Sequence, residues 1–172
     1  MTLNKAMTSL GRALVLSLAA TLIQACATTP KFDTGDISPD ITPRQAAEQA
    51  SSLQGTRVLW GGVIIASNNL ETATQLEVLA YPLNSRQRPD TDEAPLGRFL
   101  ARQTGYLETT DYAPGRLISV SGTVQQTRQG RIGESEYTYP VIQIDQLHLW
   151  PKQGGASPQT RFHFGIGVMF SN

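Results

Sequence analysis

Leu117-Ile118-Ser119-Val120-Ser121-Gly122-Thr123-Val124-Gln125 decides the fold of this chain. Ile118, Val120 and Val124 alternate with Ser119, Ser121 and Thr123, the period-two pattern of a strand with one buried face. Upstream, Arg57 to Ala66 (RVLWGGVIIA) is apolar on both faces, with Trp60 and Ile64 on one side and Leu59, Val63 and Ile65 on the other. Such a strand is buried twice over, and Gly61-Gly62 predicts a bulge or a tight bend within it. Asn68-Asn69 tolerates the positive φ of a hairpin turn. Thr72 to Leu83 (TATQLEVLAYPL) then returns with Leu76, Val78 and Ala80 on one face.

Downstream, Gly130 and Gly133 bracket a further turn, and Tyr139 to Trp150 forms the next strand. Ile142 and Ile144 start on one face, whereas Leu147 and Leu149 continue on the other. That change of phase predicts a β-bulge near Asp145-Gln146, or a switch between sheets. Phe162, Phe164, Ile166, Val168 and Phe170 make an aromatic-rich stripe, expected as the closing strand. One short helix precedes the strands. Thr42 is its N-cap, Pro43 suits its first position, Gln45 completes a capping box and Gly55 stops it. The pattern predicts a mainly β fold: a small curved antiparallel sheet or OB-like barrel of about five or six strands, with one short N-terminal helix. Asn84 to Pro95 (NSRQRPDTDEAP) is a polar connection long enough to be either functional or mobile.

The first 25 residues read as an export signal. Lys5 and Arg12 give a positive start, Ala13 to Ile23 an apolar run too short to span a bilayer, and Ile23-Gln24-Ala25-Cys26 an ending that resembles the bacterial lipobox. Cys26 is the only cysteine, so no intrachain disulfide forms, and it is the expected lipid attachment site. A single acyl chain holds a protein reversibly, and two or more hold it stably. Ala27 is not the aspartate that resembles an inner-membrane retention signal, which points to the outer membrane. Residues 26–41 mix Thr, Pro, Asp, Gly and Ser, a composition expected of a flexible tether. Residues 42–172 are then one domain. Without residues 1–25 the chain keeps 147 residues, with 12 Lys and Arg against 14 Asp and Glu. A scattered, slightly acidic charge set lacks the basic footprint that nucleic acid requires.

Val58-Leu59-Trp60-Gly61-Gly62-Val63-Ile64, Asn69, Thr74, Leu76-Glu77-Val78-Leu79 and Tyr81-Pro82-Leu83 resemble the Slp family of outer-membrane lipoproteins. The resemblance continues through Gly97-Arg98-Phe99, Tyr112, Gly115-Arg116, Val120, Gly122-Thr123-Val124, Ile132-Gly133-Glu134, Tyr137, Tyr139-Pro140-Val141 and Leu149-Trp150. It departs at Leu107-Glu108-Thr109, where the family tends to have Leu-Asp-Pro. The resemblance implies a starvation- or stress-associated lipoprotein on the periplasmic side of the outer membrane. It carries no enzymatic activity with it.

The residues offer little chemistry. His148 and His163 belong to no metal-ligand spacing, no Gly-x-Ser-x-Gly occurs, and neither Gly61-Gly62 nor Gly165-x-Gly167 opens a helix as a phosphate cradle must. Asp92-Glu93 and Glu134 with Glu136 lie in expected loops. No catalytic set, metal or cofactor is therefore expected. Arg98 and Arg116 are the candidate ligand-binding residues, since an arginine fork can clamp a carboxylate or phosphate; alternatively each stem covers the barrel with its head paired to Asp111 or Glu108. Trp60, Tyr81, Tyr137 and Tyr139 would be a sugar-stacking surface or, alternatively, core and cross-strand pairs. The expected function is a non-enzymatic lipid-anchored outer-membrane protein contributing to envelope integrity or stress adaptation. Its partners would be the membrane through Cys26, and an envelope protein, peptidoglycan or lipid. The alternative is a periplasmic ligand-binding module of OB-like shape taking an oligosaccharide, peptide or other envelope component. A hydrolase built on Asp145 and His148 would need both to converge on a nucleophile.

Overall fold

Two long strands with continuous apolar faces set the architecture, because neither can bury itself without wrapping around the other elements. The computed structural model describes residues 32–152. Its strands are β1 (Arg57–Asn69), β2 (Ala73–Ala80), β3 (Gly97–Thr104), β4 (Leu117–Ile132) and β5 (Ser135–Leu149). Their lateral order is β1-β2-β3-β5-β4, and the sheet closes into a barrel through an antiparallel β1–β4 ladder from Arg57↔Thr123 to Val63↔Leu117. β3 and β5 are parallel and all other neighbours are antiparallel. This mixed five-strand ring is the OB-like arrangement expected, with one parallel pairing in place of an all-antiparallel sheet.

Val58, Trp60, Ile64, Leu76, Val78, Phe99, Ile118, Val120, Val124 and Ile142 fill the interior. Trp60 meets Phe99 edge to face at 5.1 Å. Its indole Nε1 donates to the Ile41 carbonyl at 2.7 Å, so the aromatic that plugs the barrel also ties down the segment before the helix. Buried polar tips need such partners. The interior is side chain throughout, as in other small barrels.

Several local expectations hold for the reasons given. The phase change in β5 is a bulge: Ser121 pairs with Gln146 and Gly122 with Ile144, leaving Asp145 as the extra residue. Thr42 and Gln45 form the reciprocal capping box ahead of α1 (Pro43–Glu48). Gln49 interrupts the helix, and α2 (Ala50–Leu53) follows before Gly55 turns the chain at φ +84°.

Other expectations are corrected. The bulge in β1 lies between Ile64 and Ala66, while Gly61-Gly62 stays in register as a close-packed stretch. A Cβ on Gly62 would lie 1.9 Å from the Leu79 carbonyl oxygen, so the glycines serve backbone approach and not an extra residue. β3 carries no separate signal in the sequence, because Arg98 and Arg102 flank Phe99 and Ala101 over too short a run. The expected closing strand around Phe162–Phe170 lies outside the described residues and is not among these corrections. The connection 84–95 is pinned by specific bonds: Leu83 bridges Pro89, Asn84 Oδ1 accepts from the Arg86 and Arg88 amides, and Ser119 Oγ donates to the Gln87 carbonyl at 2.6 Å. Gln87 Oε1 in turn accepts from the Phe32 amide, and Phe32 is only 3 % exposed. The stretch expected as a tether is thus bonded to the barrel from Phe32 onward, and Ser38 donates to the Arg57 carbonyl. Average composition hid these few anchoring groups.

The β4–β5 hairpin is longer than the barrel requires. A second register shift, between Val124 and Thr127, bends its outer half away from the ring. This arm folds across the outside of β2 and β3, where Leu100, Tyr139 and Val141 make a second small core with Ile132 and Tyr137.

Candidate functional site

Arg98 sits under the arm, and its charge is met inside the protein. Its Nη1 donates to Glu77 Oε1 at 2.7 Å, and the Tyr139 hydroxyl donates to the same oxygen at 3.1 Å. Tyr137 Oη accepts from the Arg98 amide at 2.8 Å. The two charged side chains are 26 % and 21 % exposed, sheltered enough for a charge-assisted bond to count. The Glu77 hydrogen bond raises the Arg98 pKa above its ordinary value. Burial first, and the Glu77 charge second, raise that of Tyr139. These groups join β2, β3 and the arm; the partner is Glu77, not the Asp111 or Glu108 weighed from sequence.

Arg116 lies elsewhere, at the start of β4. Its Nη1 donates to the Asp111 carbonyl at 2.8 Å and its Nη2 to the Trp150 carbonyl at 3.0 Å, while Nε is buried with no partner among the described residues. It borders an open cavity of about 530 Å³ with Thr91 and Lys152. The structure does not bring Arg98 and Arg116 together: they line separate cavities.

The other sequence candidates are dispersed. Asp145, thrown outward by its bulge, pairs with Arg57 at 3.4 Å. His148 instead packs edge-on against Trp150 at 4.5 Å, where burial lowers its pKa. Trp150 Nε1 donates to Ser119 Oγ, and the Arg88 guanidinium lies 5.5 Å from the indole. Tyr137 and Tyr139 meet edge to face at 4.7 Å in the second core, and Trp60 is in the first, so these aromatics are packed and do not form a stacking platform. Among the described residues no cluster of three His, Cys, Asp or Glu side chains has the proximity to hold a metal. Cys26 and His163 lie outside the described residues.

One feature escaped the sequence reading. Where the arm leaves the barrel, a groove of about 660 Å³ opens on the outer face, lined by Gln54, Gln75, Arg102, Gln125–Arg128, Val141 and Gln143. The run Gln125-Gln126-Thr127-Arg128 was its available signal, because the apolar alternation of β4 lapses there into polar residues on both faces, a lapse that continues to Arg131.

A small OB-like barrel with a polar outer groove is the class of molecule these observations define. The family model described as "Outer membrane lipoprotein Slp family" matches residues 23–166, and the chain belongs to that family. It is therefore an outer-membrane lipoprotein by class. Outer membrane protein Slp of Escherichia coli (strain K12) is 32 % identical over 140 residues, covering 80 % of this chain and 73 % of that protein. The uncharacterized lipoprotein YeaY of the same strain is 31 % identical over 135 residues, covering 76 % of this chain and 68 % of its own length. Among solved structures, a small single-stranded DNA-binding protein from Streptomyces coelicolor aligns with TM-score 0.37 at 13 % identity, over 55 % of this chain and 94 % of that one. Rim1, a mitochondrial single-stranded DNA-binding protein from S. cerevisiae, aligns with TM-score 0.36 at 14 % identity, over 56 % and 95 %. Likenesses this distant carry no functional argument.

Proposed function

We propose that the protein is a non-enzymatic, lipid-anchored component of the outer membrane, acylated at Cys26, facing the periplasm and contributing to envelope integrity or stress adaptation. The observation that carries this reading is the filled barrel. Aliphatic and aromatic side chains occupy the interior, so the molecule works through its outer surface and not through an enclosed pocket. The family membership supports the anchor, and the lipobox-like ending supports its position. On this reading residues 1–25 are removed, the spacer lies ahead of Phe32, and the barrel begins where Phe32 is bonded to Gln87.

The test compares wild type with Cys26→Ala by acyl labelling, membrane fractionation and rescue of detergent resistance in a strain lacking the gene. The expected result is label, outer-membrane residence and rescue for the wild type alone. An unlabelled wild type found in the soluble periplasm would overturn it.

A second reading, the ligand-binding module, is favoured by one specific observation. The groove at the root of the arm is open and polar, and no carboxylate among the described residues lines it. Surface capture of an envelope component would be its work.

A further inference from the structure

The outer face of β2 and β3 is divided in two. Under the arm it is closed by Glu77, Arg98 and Tyr139; beyond the arm it is the groove. Its floor is a single row across three strands, since Gln75 on β2 pairs with Arg102 on β3, and Arg102 pairs with Gln143 on β5. Its far wall comes from the shifted segment of β4, which carries Gln125 and Arg128. Arg128 Nη1 reaches Gln75 Oε1 at 3.3 Å, a contact between strands that are not neighbours in the ring. The wall therefore stands over the floor, and the groove is a cleft with two sides.

Its chemistry is one-sided. Among the described residues, two guanidiniums and five glutamine carboxamides line it, and no carboxylate does. The ion pairs among the described residues use Arg57 and Arg98, so neither Arg102 nor Arg128 has a carboxylate within 4.0 Å there. A locally cationic cleft in a chain of slightly acidic mature charge selects anions. A guanidinium offers a planar fork that fits a carboxylate or a phosphate. Carboxamides both donate and accept, which suits hydroxyl and N-acetyl groups. Among the described residues no aromatic side chain lines the cleft, so they provide no stacking platform of the kind single-stranded nucleic acid uses. At about 660 Å³ it has the size of a small-ligand site.

We propose that this cleft binds an acidic saccharide, with Arg102 and Arg128 on its carboxylate or phosphate and Gln75, Gln125 and Gln143 on its hydroxyl and amide groups. The inference deepens the binding-module reading and is independent of the anchor. The shared ligand chemistry has two envelope sources: saccharide fragments of peptidoglycan, whose attached stem peptides carry the carboxylates, and the lipopolysaccharide core, which carries carboxylates and phosphates.

The test is calorimetric titration of the full lipidated protein in detergent micelles with three probes: lysozyme-digested peptidoglycan fragments, delipidated lipopolysaccharide core oligosaccharide, and neutral maltotriose. Binding of one or both acidic probes, at least about 10-fold tighter than maltotriose, is expected, and which of them binds decides the source. Arg102→Gln and Arg128→Gln should each weaken that binding about 10-fold, the scale of one charge-assisted hydrogen bond. Both variants should keep the wild-type melting temperature, since neither side chain is buried. Equal binding of maltotriose, unchanged binding by both variants, or no binding of any probe would overturn the proposal and leave the cleft a solvated polar face. Intact acylation with no saccharide binding sinks this inference alone. Saccharide binding by an unacylated wild type sinks the anchor reading instead.

Discussion

Replacing Gly62 with alanine adds one methyl group to the barrel and should cost it about a quarter of a typical domain's stability. The ideal Cβ at this position would stand 1.9 Å from the Leu79 carbonyl oxygen, 2.7 Å from its carbon and 2.9 Å from the Ala80 Cα. All three are backbone atoms of β2, so no side chain can rotate out of the way. Ordinary carbon–oxygen contacts lie near 3.3 Å, and β1 must therefore retreat from β2 by about 1.4 Å. Gly62 is also paired on its other side with Ile118 of β4, which leaves little room for the retreat. A shift of that size breaks neighbouring ladder bonds, of which the Tyr81 amide to Gly61 carbonyl bond at 3.0 Å is the first. Two or three such losses at about 1 kcal/mol each, plus desolvated groups left unpaired, come to about 3 kcal/mol. For a domain of this size that is a fall of roughly 12 °C in Tm. Urea unfolding followed by the emission of the two tryptophans, Trp60 and Trp150, measures it. Gly105→Ala is the control: its φ of +81° is unfavourable to alanine, yet nothing lies within 4 Å of the new Cβ. It should lose only about 1 kcal/mol. A Gly62→Ala protein as stable as the control would refute the claim that backbone approach, and not local conformation, requires this glycine.

Phe99→Ala removes the largest fully buried side chain among the described residues and its edge contact with Trp60, and should cost about 3–5 kcal/mol. A loss under about 1.5 kcal/mol by the same urea assay would mean that the core collapses around the gap. Burial holds the His148 pKa below its ordinary value of 6.5. The unfolded chain then binds that proton more strongly, so the contribution is full above about pH 6.5 and is lost as pH falls through the folded value. Unfolding midpoints measured between about pH 7.5 and pH 5 should fall on the acid side, and His148→Gln should flatten that part of the slope; an unchanged slope in the variant assigns the acid loss to other groups.

The sequence was most legible where one physical rule governed a long run. The alternation of Ile118, Val120 and Val124 called for a strand, and the phase slip between Ile144 and Leu147 called for a bulge or a switch between sheets, of which the bulge at Asp145 is the outcome. The capping box was equally direct, since Thr42 and Gln45 interact within one turn. Arrangements resting on distant partners were not legible. β3 has a short pattern that becomes a strand only because β2 offers eight register positions beside it. Arg98 found Glu77, two strands' worth of sequence away, while Asp111 and Glu108 were nearer in the chain. The cleft needed the arm to fold over the sheet, and nothing local in Gln125 or Gln143 specifies that crossing.

The ring is not equally strong all the way round. β2 and β3 meet over eight register positions and β1 and β4 over seven, but β3 and β5 meet over three: Leu100↔Val141, Ala101↔Ile142 and Arg102↔Gln143. The backbone ladder is shortest at this parallel seam, and side chains reinforce it: Gln143 Nε2 donates to Thr104 Oγ1, and the Tyr137 hydroxyl accepts from the Arg98 amide. The last of its three pairs is also the floor of the cleft. A ligand lying across Arg102 and Gln143 would suture the seam, and amide exchange along β3 and β5 should slow first.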